Sequence, residues 1–493
     1  MQSQRYFIKI VLLVLSAMVS GCAAFGADTT WRIGWHDWEP YQMEQAVNDQ
    51  PVLRGLDLEI LRELSRRMHL TPEFIQLDWN LQQEGVRDGS VHVMSGVFET
   101  AGRKEYARFS KAYRNEENAM LMRRGEASRF DFMTVAALRE RMAAQSVRVG
   151  RIIAYVYADP ELTALLNDPA VQGQVVTYLN EREALKGLLG EEVDLLPADR
   201  LVAQTIAWRE GFQSELEEHV SFRAKAPIHF MLSKAATSEE ELNQFNAALD
   251  AMRAEGTLKR IQREYLYPLL LSITISHPWY FALDLIGVVA FSISGYLLAR
   301  RERYTLVAGL LFASLPAMGG GILRDFLLQR SPIGILRTPV YFMVVLITVA
   351  TGVLLLRLLK NRIPGGERVA GNLILWGDAL GLVAFTVTGV VVAVEMRADP
   401  LWLWGPVMAV VTATAGGIVR DTIRSDGRMT MLTQDFYAEI PILWGTLLSL
   451  VIYFIDDSRL SLGLMQSLVV GTVIGGFLTR LAAIRWNWKP PRA

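Results

Sequence analysis

The C-terminal half of this chain contains one unit twice. DLIGVVAFSISG at 284–295 returns as DALGLVAFTVTG at 378–389, with the aspartate, both glycines and the Ala-Phe pair at identical spacing. GGILRD at 320–325 returns as GGIVRD at 416–421, and Pro339 near the start of a third apolar run has a counterpart in Pro441 near the start of a sixth. The runs are long enough to cross a bilayer and predict seven spans, at 279–299, 304–327, 338–358, 373–396, 401–423, 439–455 and 461–483. Each unit holds three spans, so the second must lie upside down relative to the first. Inverted repeats of this kind place their sites near the bilayer midplane, where helices break.

The repeated residues carry the chemistry of that half. Gly319, Gly320 and Gly321, and in the second copy Gly416 and Gly417, weaken their helices and free carbonyls that could coordinate a cation, which is tolerable only where they face protein or water. The same small residues also permit close helix packing, and both readings stay open. Asp284, Arg324 and Asp325 fall at one side of the membrane, Asp378, Arg420 and Asp421 at the other. Ionisable groups at such depth mark candidate sites. They are read as pore or gate residues, with a structural Asp–Arg bridge at each end as the alternative.

Charge bias sets the orientation. With the first span starting outside, the inner segments hold fourteen Lys and Arg, among them Arg300, Arg301, Arg357 and Arg485, against five in the outer ones. By the positive-inside rule the C-terminus is cytoplasmic, and the 51% hydrophobic composition agrees with a membrane protein.

The N-terminal half is different. A basic start (Arg5, Lys9), an apolar run over 10–19 and small residues after it read as an export signal at 1–27. Val19-Ser20-Gly21-Cys22 resembles a bacterial lipobox, which makes Cys22 a lipidation candidate; cleavage near Gly26 or Ala27, or retention as an anchor, are the alternatives. Cys22 is the one cysteine, so no intrachain disulfide forms. From Trp31 apolar strands alternate with helices, which implies a parallel sheet covered by helices. The alternation starts again near Val147, so two α/β lobes with a ligand cleft between them are expected at 28–268. A linker at 269–278, marked by His277-Pro278, leads to membrane repeats at 279–371 and 372–459 and to the seventh helix and tail at 460–493.

The six histidines, His36, His69, His92 and His229 among them, lack metal-ligand spacing. No nucleophile–base signature stands out either, so neither a metal, a cofactor nor an enzyme activity is expected. The net charge of −1 gives no reason to expect a nucleic-acid partner.

On WEPY at 38–41, Gly55-Leu56-Asp57, VFETAGRKEYARFSKAY at 97–113 and Gly256-Thr257-Leu258, this half resembles the periplasmic substrate-binding proteins of the polar amino-acid type, family 3. The resemblance implies that Arg103, preceded by Thr100, clamps a ligand carboxylate, since a guanidinium fork matches a planar carboxylate. It implies that Asp199 takes the ligand's ammonium, with Asp194 as a structural rival. Trp38, Tyr41 and Trp79 are cleft-lining candidates. Where the family has Gly followed by Ser or Thr this chain has Ala154-Tyr155, so Tyr155 stands at a pocket position and a plain α-amino acid is in doubt, while a carboxylate-bearing ligand is favoured.

On the doubled Asp-x-x-Gly-x-x-Ala-Phe and Gly-Gly-x-x-Arg-Asp motifs, the C-terminal half resembles the bacterial members of the trimeric intracellular cation channel superfamily, also described as a glycine-transporter domain. That implies a pore in each protomer, a homotrimer and contact with membrane lipid. The expected whole is a two-lobed α/β periplasmic-binding domain followed by an all-α membrane domain of two inverted three-helix repeats plus one helix. The function expected is an inner-membrane channel or transporter for a cation or small amino acid, gated or fed by ligand at the outer domain. The alternative is a membrane-anchored solute sensor, against which the short basic tail after Arg480 counts.

Overall fold

A computed structural model of the chain describes residues 29–47, 50–358, 366–424, 436–455 and 461–490. The expected export signal, Cys22 and part of the charged segments between membrane helices lie outside these residues. The chain forms two compact units: one holds the residues up to 120 with 132–199 and 219–258, the other 121–131, 200–218 and everything from 259 on.

The first unit is α/β. Strand β1 (Thr29–Trp35) turns Trp31, Ile33 and Trp35 into the core. After the hairpin β2 (Met43–Val47) and β3 (Gln50–Arg54), β4 (Leu70–Gln76) runs parallel to β1. β5 (Val93–Val97) pairs with β1 on its other side, also parallel. Between them, helix Leu56–Arg67 buries Leu58, Ile60, Leu61 and Leu64, the spacing of one helical face. It starts at Gly55, φ 138°, where a Cβ would stand 2.2 Å from the Tyr41 carbonyl oxygen, so only glycine serves.

β6 (Ala107–Phe109), β7 (Arg114–Arg123), β8 (Val149–Ile152), β9 (Val175–Tyr178), β10 (Leu196–Asp199) and β11 (Leu216–Ser233) follow. The main sheet has the order β10-β7-β11-β5-β1-β4, with β6 on β11. It is mixed and not the parallel sheet expected: β11 brings the chain back and meets β5 and β6 antiparallel. The second lobe keeps a parallel pair, β8 with β9. Its helices Pro160–Leu166 and Glu181–Leu189 are capped by the Asp159 and Asn180 side chains, which accept the backbone N–H groups that a helix start leaves unpaired. Two helices follow, Glu239–Ala254 and Thr257–Ile275, separated at Gly256 with φ 78°.

The second unit is helical. Among the described residues five helices are long and apolar enough to cross a membrane: Pro278–Arg301, Leu306–Leu327, Leu375–Glu395, Leu401–Ile423 and Leu462–Arg485. Two shorter apolar helices, Val340–Leu355 and Glu439–Phe454, stand where the third and sixth spans are expected. Leu306, Val307, Phe326, Ile347 and Phe454 are among many large apolar side chains left exposed, as a lipid-facing surface requires. The expected linker is not loose chain. Helix Thr257–Ile275 runs on through Pro268, because Leu269, Leu270, Leu271 and Ile273 bury in the membrane unit's core together with Val288, Val387 and Leu448.

The repeat is visible in how closely its glycines let backbones approach. A Cβ on Gly287 would lie 2.4 Å from Gly381 Cα, and one on Gly381 2.6 Å from Gly287 Cα, so the two copies of the Asp-x-x-Gly motif touch each other. Gly295 abuts the Phe312 carbonyl and Gly389, its repeat partner, the Met408 carbonyl. The copies differ in helix geometry. The first glycine run, from Gly319, overlaps the end of a π-helical turn, Leu315–Gly319, whose second residue is Pro316, whereas Gly416 and Gly417 sit inside the continuous helix Leu401–Ile423. The helix break expected at both copies is thus present only in the first. The proline, which has no N–H to donate, is what the second copy lacks there.

Candidate functional site

The first unit buries a charged cluster around its aromatic residues. Trp38 and Tyr41 pack with ring centroids 4.7 Å apart, and Trp38 Nε1 donates to Glu181 Oε1 at 3.1 Å. The Arg114 guanidinium lies 3.6 Å over the Tyr41 ring and 5.1 Å over Trp38, a cation–π arrangement, and its Nε reaches Asp57 Oδ1 at 3.3 Å. Glu116 accepts from the Asn118 amide at 2.8 Å and from the Tyr155 hydroxyl, all at Oε1. Asp199, at the end of β10, is 1% exposed. Burial, reinforced by the Asp199 charge, pushes the Glu116 carboxyl up to about 8. Burial and then the same Asp199 push Glu181 to about 7, and burial alone lowers His36 to about 4, leaving that ring neutral.

The expected ligand residues fall into two groups. Trp38, Tyr41, Tyr155 and Asp199 meet in this cluster. Arg103 and Trp79 lie at a tie between the lobes: Arg103 Nη2, Trp79 Nε1 and Gln83 Nε2 all donate to the Ala154 carbonyl, at 3.2, 3.2 and 3.3 Å. Arg103 also donates from Nη1 to Phe98 O and from Nε to Gln83 Oε1, both 3.1 Å, so its donors engage protein oxygens. Thr100 caps the short helix Ala101–Lys104 by accepting the Arg103 N–H. Ala154 has φ 56°, a left-handed conformation costly for alanine. The departure at Ala154-Tyr155 therefore places a carbonyl where the resembled family offers a hydroxyl. Asp194 accepts the Arg148 N–H at 2.8 Å, a structural bond.

In the membrane unit a cavity of about 210 Å³ is lined by residues of both repeats, including Asp284, Gly321, Arg324, Asp325 and Tyr341 from the first and Phe385, Thr388 and Thr412 from the second. Tyr341 donates to Asp284 Oδ2 at 2.6 Å, and among the described residues Asp284 Oδ1 has no hydrogen-bond partner. Arg324 does not bond Asp284. It turns Nε and Nη2 onto Asp325 Oδ1, at 2.9 and 2.7 Å, while Asp325 Oδ2 accepts the Gly334 N–H at 2.7 Å. The second copy repeats this, with Arg420 on Asp421 at 3.0 and 2.7 Å and Tyr437 donating to Asp378 at 3.2 Å. An Asp–Arg bridge is thus present at each end, and at both it joins sequence neighbours.

The copies diverge in what surrounds the aspartate. Arg480, on the seventh helix, stands 3.7 Å from Asp378 Oδ2 and 4.6 Å over the Tyr437 ring. At the first copy a different chain of bonds arrives. Ser272, on helix Thr257–Ile275, donates to Glu395 Oε1 at 2.7 Å; Arg330 donates to Glu395 Oε2 at 3.0 Å; and Arg330 Nη1 lies 3.8 Å from Asp325. Of the glycines, Gly321 lines the cavity. Gly320 is pressed on the Thr412 carbonyl and Gly416 on the Leu315 carbonyl, and a Cβ on Gly319 would lie 3.2 Å from Gly416 Cα, so packing is the principal role of those three.

Sequence reading missed Arg114, Glu116, Glu181, Tyr341, Tyr437, Arg330, Glu395 and Arg480. The two tyrosines left a signal, lying 57 and 59 residues after their aspartates.

Comparison with known proteins agrees with this division. Residues 32–268 match the bacterial extracellular solute-binding proteins, family 3, and 281–357 with 375–453 match the family described as glycine transporter. The UPF0126 inner membrane protein YadS of Escherichia coli is 32% identical over 209 residues, 42% of this chain and 93% of that protein. The L-cystine-binding protein TcyA of Bacillus subtilis is 21% identical over 228 residues, 46% of this chain and 77% of that protein. Among solved structures, an ancestral arginine-binding protein bound to arginine covers 48% of this chain and 97% of its own, at a TM-score of 0.40 and 20% identity.

Proposed function

Because the chain belongs, through its C-terminal half, to the UPF0126 family of membrane proteins, we propose that it is an inner-membrane channel or transporter for a cation or a small amino acid such as glycine. In this reading its outer domain binds a small carboxylate-bearing ligand, an amino acid, and gates or feeds the pore. The observation that carries the reading is the cavity between the repeats, where the Asp284 carboxylate keeps one oxygen without a hydrogen-bond partner among the described residues, beside the Arg324–Asp325 pair. A carboxylate at membrane depth needs a partner or water, and inverted-repeat proteins bind their cargo where a helix is broken, as at Leu315–Gly319. A negative and a positive group facing one small cavity suit a cation or the two ends of a zwitterion.

The bonds Ser272–Glu395–Arg330–Asp325 give a route for gating. The solute-binding match ends at residue 268, within the helix that carries Ser272 four residues on, and the series of bonds ends at the outer Gly-Gly-x-x-Arg-Asp motif. A ligand can shift such a gate only by its difference in affinity between the two states. The seven apolar helices all span in this reading. Charge bias places the outer domain outside the cytoplasm and the C-terminus within it, and the protein works as a homotrimer in lipid, without catalysis.

The full chain reconstituted in liposomes, with amino acids added on the outer-domain side, tests this. Cation flux or glycine uptake that changes at least about tenfold with ligand, some 1.4 kcal/mol of coupling, is the expected result. Solute binding with neither flux nor uptake would leave a sensor and refute the reading.

A further inference from the structure

We propose that the outer domain is selective for a basic amino acid, with the α-carboxylate on Arg114, the α-ammonium on Asp199 and the side-chain cation on Glu116. This rests on the reading that the cleft takes an amino acid. It moves the carboxylate from Arg103 to Arg114 and adds a cation site that family resemblance does not supply.

Arg114 is the guanidinium with donors to offer. Its side chain is 5% exposed, Nε is engaged by Asp57, and Nη1 and Nη2 have no hydrogen-bond partner among the described residues. Tyr41 holds the guanidinium plane from below at 3.6 Å, which leaves the fork aimed for a planar carboxylate. Glu116, 1% exposed, is its counterpart: Oε1 is occupied by Asn118 and Tyr155, and Oε2 has no hydrogen-bond partner among the described residues. A buried polar atom left unbonded is costly, so both groups call for a ligand that satisfies them.

Charge then selects the ligand class. Asp57 and Asp199 stand against the two guanidiniums, Arg103 and Arg114, while burial holds Glu116 largely and Glu181 partly protonated near pH 7 and His36 is neutral. A neutral amino acid leaves Glu116 without a cation, and an acidic one sets a further carboxylate beside it. A basic one supplies the cation that lets Glu116 ionise, and Trp38, Tyr41 and Tyr155 provide faces on which an alkyl stem or a guanidinium can lie.

Protonation provides a second readout. Glu116 faces Arg114 and Asn118 on its own strand, Tyr155 after β8, Asp199 on β10, Tyr41 from the first lobe, and the Arg103 charge at longer range. With its carboxyl up at about 8, a bound cation must expel a proton from it below that pH. Affinity for the cation therefore rises as pH increases towards 8.

Calorimetric titration of the full chain in detergent with L-arginine, L-lysine, L-glutamine, L-glutamate and putrescine tests the inference. L-arginine or L-lysine should bind at least about tenfold tighter than L-glutamine, with proton release visible as a buffer-dependent heat at pH 7. Glu116→Gln should abolish both the preference and the proton release while L-glutamine still binds, which also shows that the variant is folded. Arg114→Gln should weaken every amino acid and leave putrescine unchanged. L-glutamine or L-glutamate binding as tightly as L-arginine would overturn the basic selectivity and leave the amino-acid reading standing. Putrescine matching L-arginine would overturn the amino-acid reading itself, and no binding of any of the five would overturn both.

Discussion

Gly320→Val is expected to prevent the membrane half from assembling. The first atom of any side chain at this position would lie 2.2 Å from the Thr412 carbonyl oxygen and 2.8 Å from that of Val411. Overpacking a core ordinarily costs about 1–3 kcal/mol, when a neighbouring side chain can rotate away. Here the obstacle is backbone in a helix that packs along its whole length, so the loss should exceed about 3 kcal/mol. Gly416→Val should do the same, because its Cβ would stand 2.1 Å from the Leu315 carbonyl, just where the π-helical turn begins. Gly471→Val on the seventh helix, where nothing lies within 4 Å, is the control and should assemble normally. Thermal unfolding in detergent and size-exclusion profiles of the three variants check this; a well-assembled Gly320→Val protein would contradict the packing described.

The second large effect is expected at Asp325. This carboxylate, 1% exposed, accepts two bonds from Arg324 on one oxygen and the Gly334 N–H on the other, with Arg330 nearby. Removing one member of a buried ion pair leaves the other charge uncompensated, at about 3–5 kcal/mol. Asp325→Ala should therefore destabilise the protein by that order and abolish flux. Asp325→Asn keeps an acceptor for Gly334 but not the charge, and should be intermediate in stability while losing ligand control. Full ligand-modulated flux in Asp325→Asn would disconnect the Ser272–Glu395–Arg330 series from any gate.

The doubled motif made the membrane half legible because its residues are constrained by contact between copies. Gly287 meets Gly381, and Gly295 and Gly389 meet equivalent carbonyls; only glycine fits there, so both copies keep it. What differs between the copies was not legible. Nothing in apolar periodicity distinguishes the π-helical turn at Leu315–Gly319 from the continuous helix at Gly416, and Arg480 reads as one more basic residue near a helix end until its approach to Asp378 is known. In the N-terminal domain, alternation revealed the strands but not the direction of β11, which depends on where the chain returns. The segment Arg114-Asn115-Glu116-Glu117-Asn118 looks like polar surface in the sequence. It lies in β7 with Arg114, Glu116 and Asn118 all turned inward, and a period of two cannot say which face is buried when both are polar. The aromatic residues and Asp199, anchored by local motifs, were recoverable. The tie at Ala154 was not, since a left-handed alanine has no signature in sequence.

The central claim is that the cavity between the repeats is the permeation path. The chain has a single cysteine, so Cys22→Ser gives a background in which Thr388→Cys, on the cavity wall, carries the one thiol. In liposomes containing this variant, a small cationic thiosulfonate should modify the thiol and block flux, with protection by the permeant species. Complete modification at position 388 with flux unchanged would contradict the account.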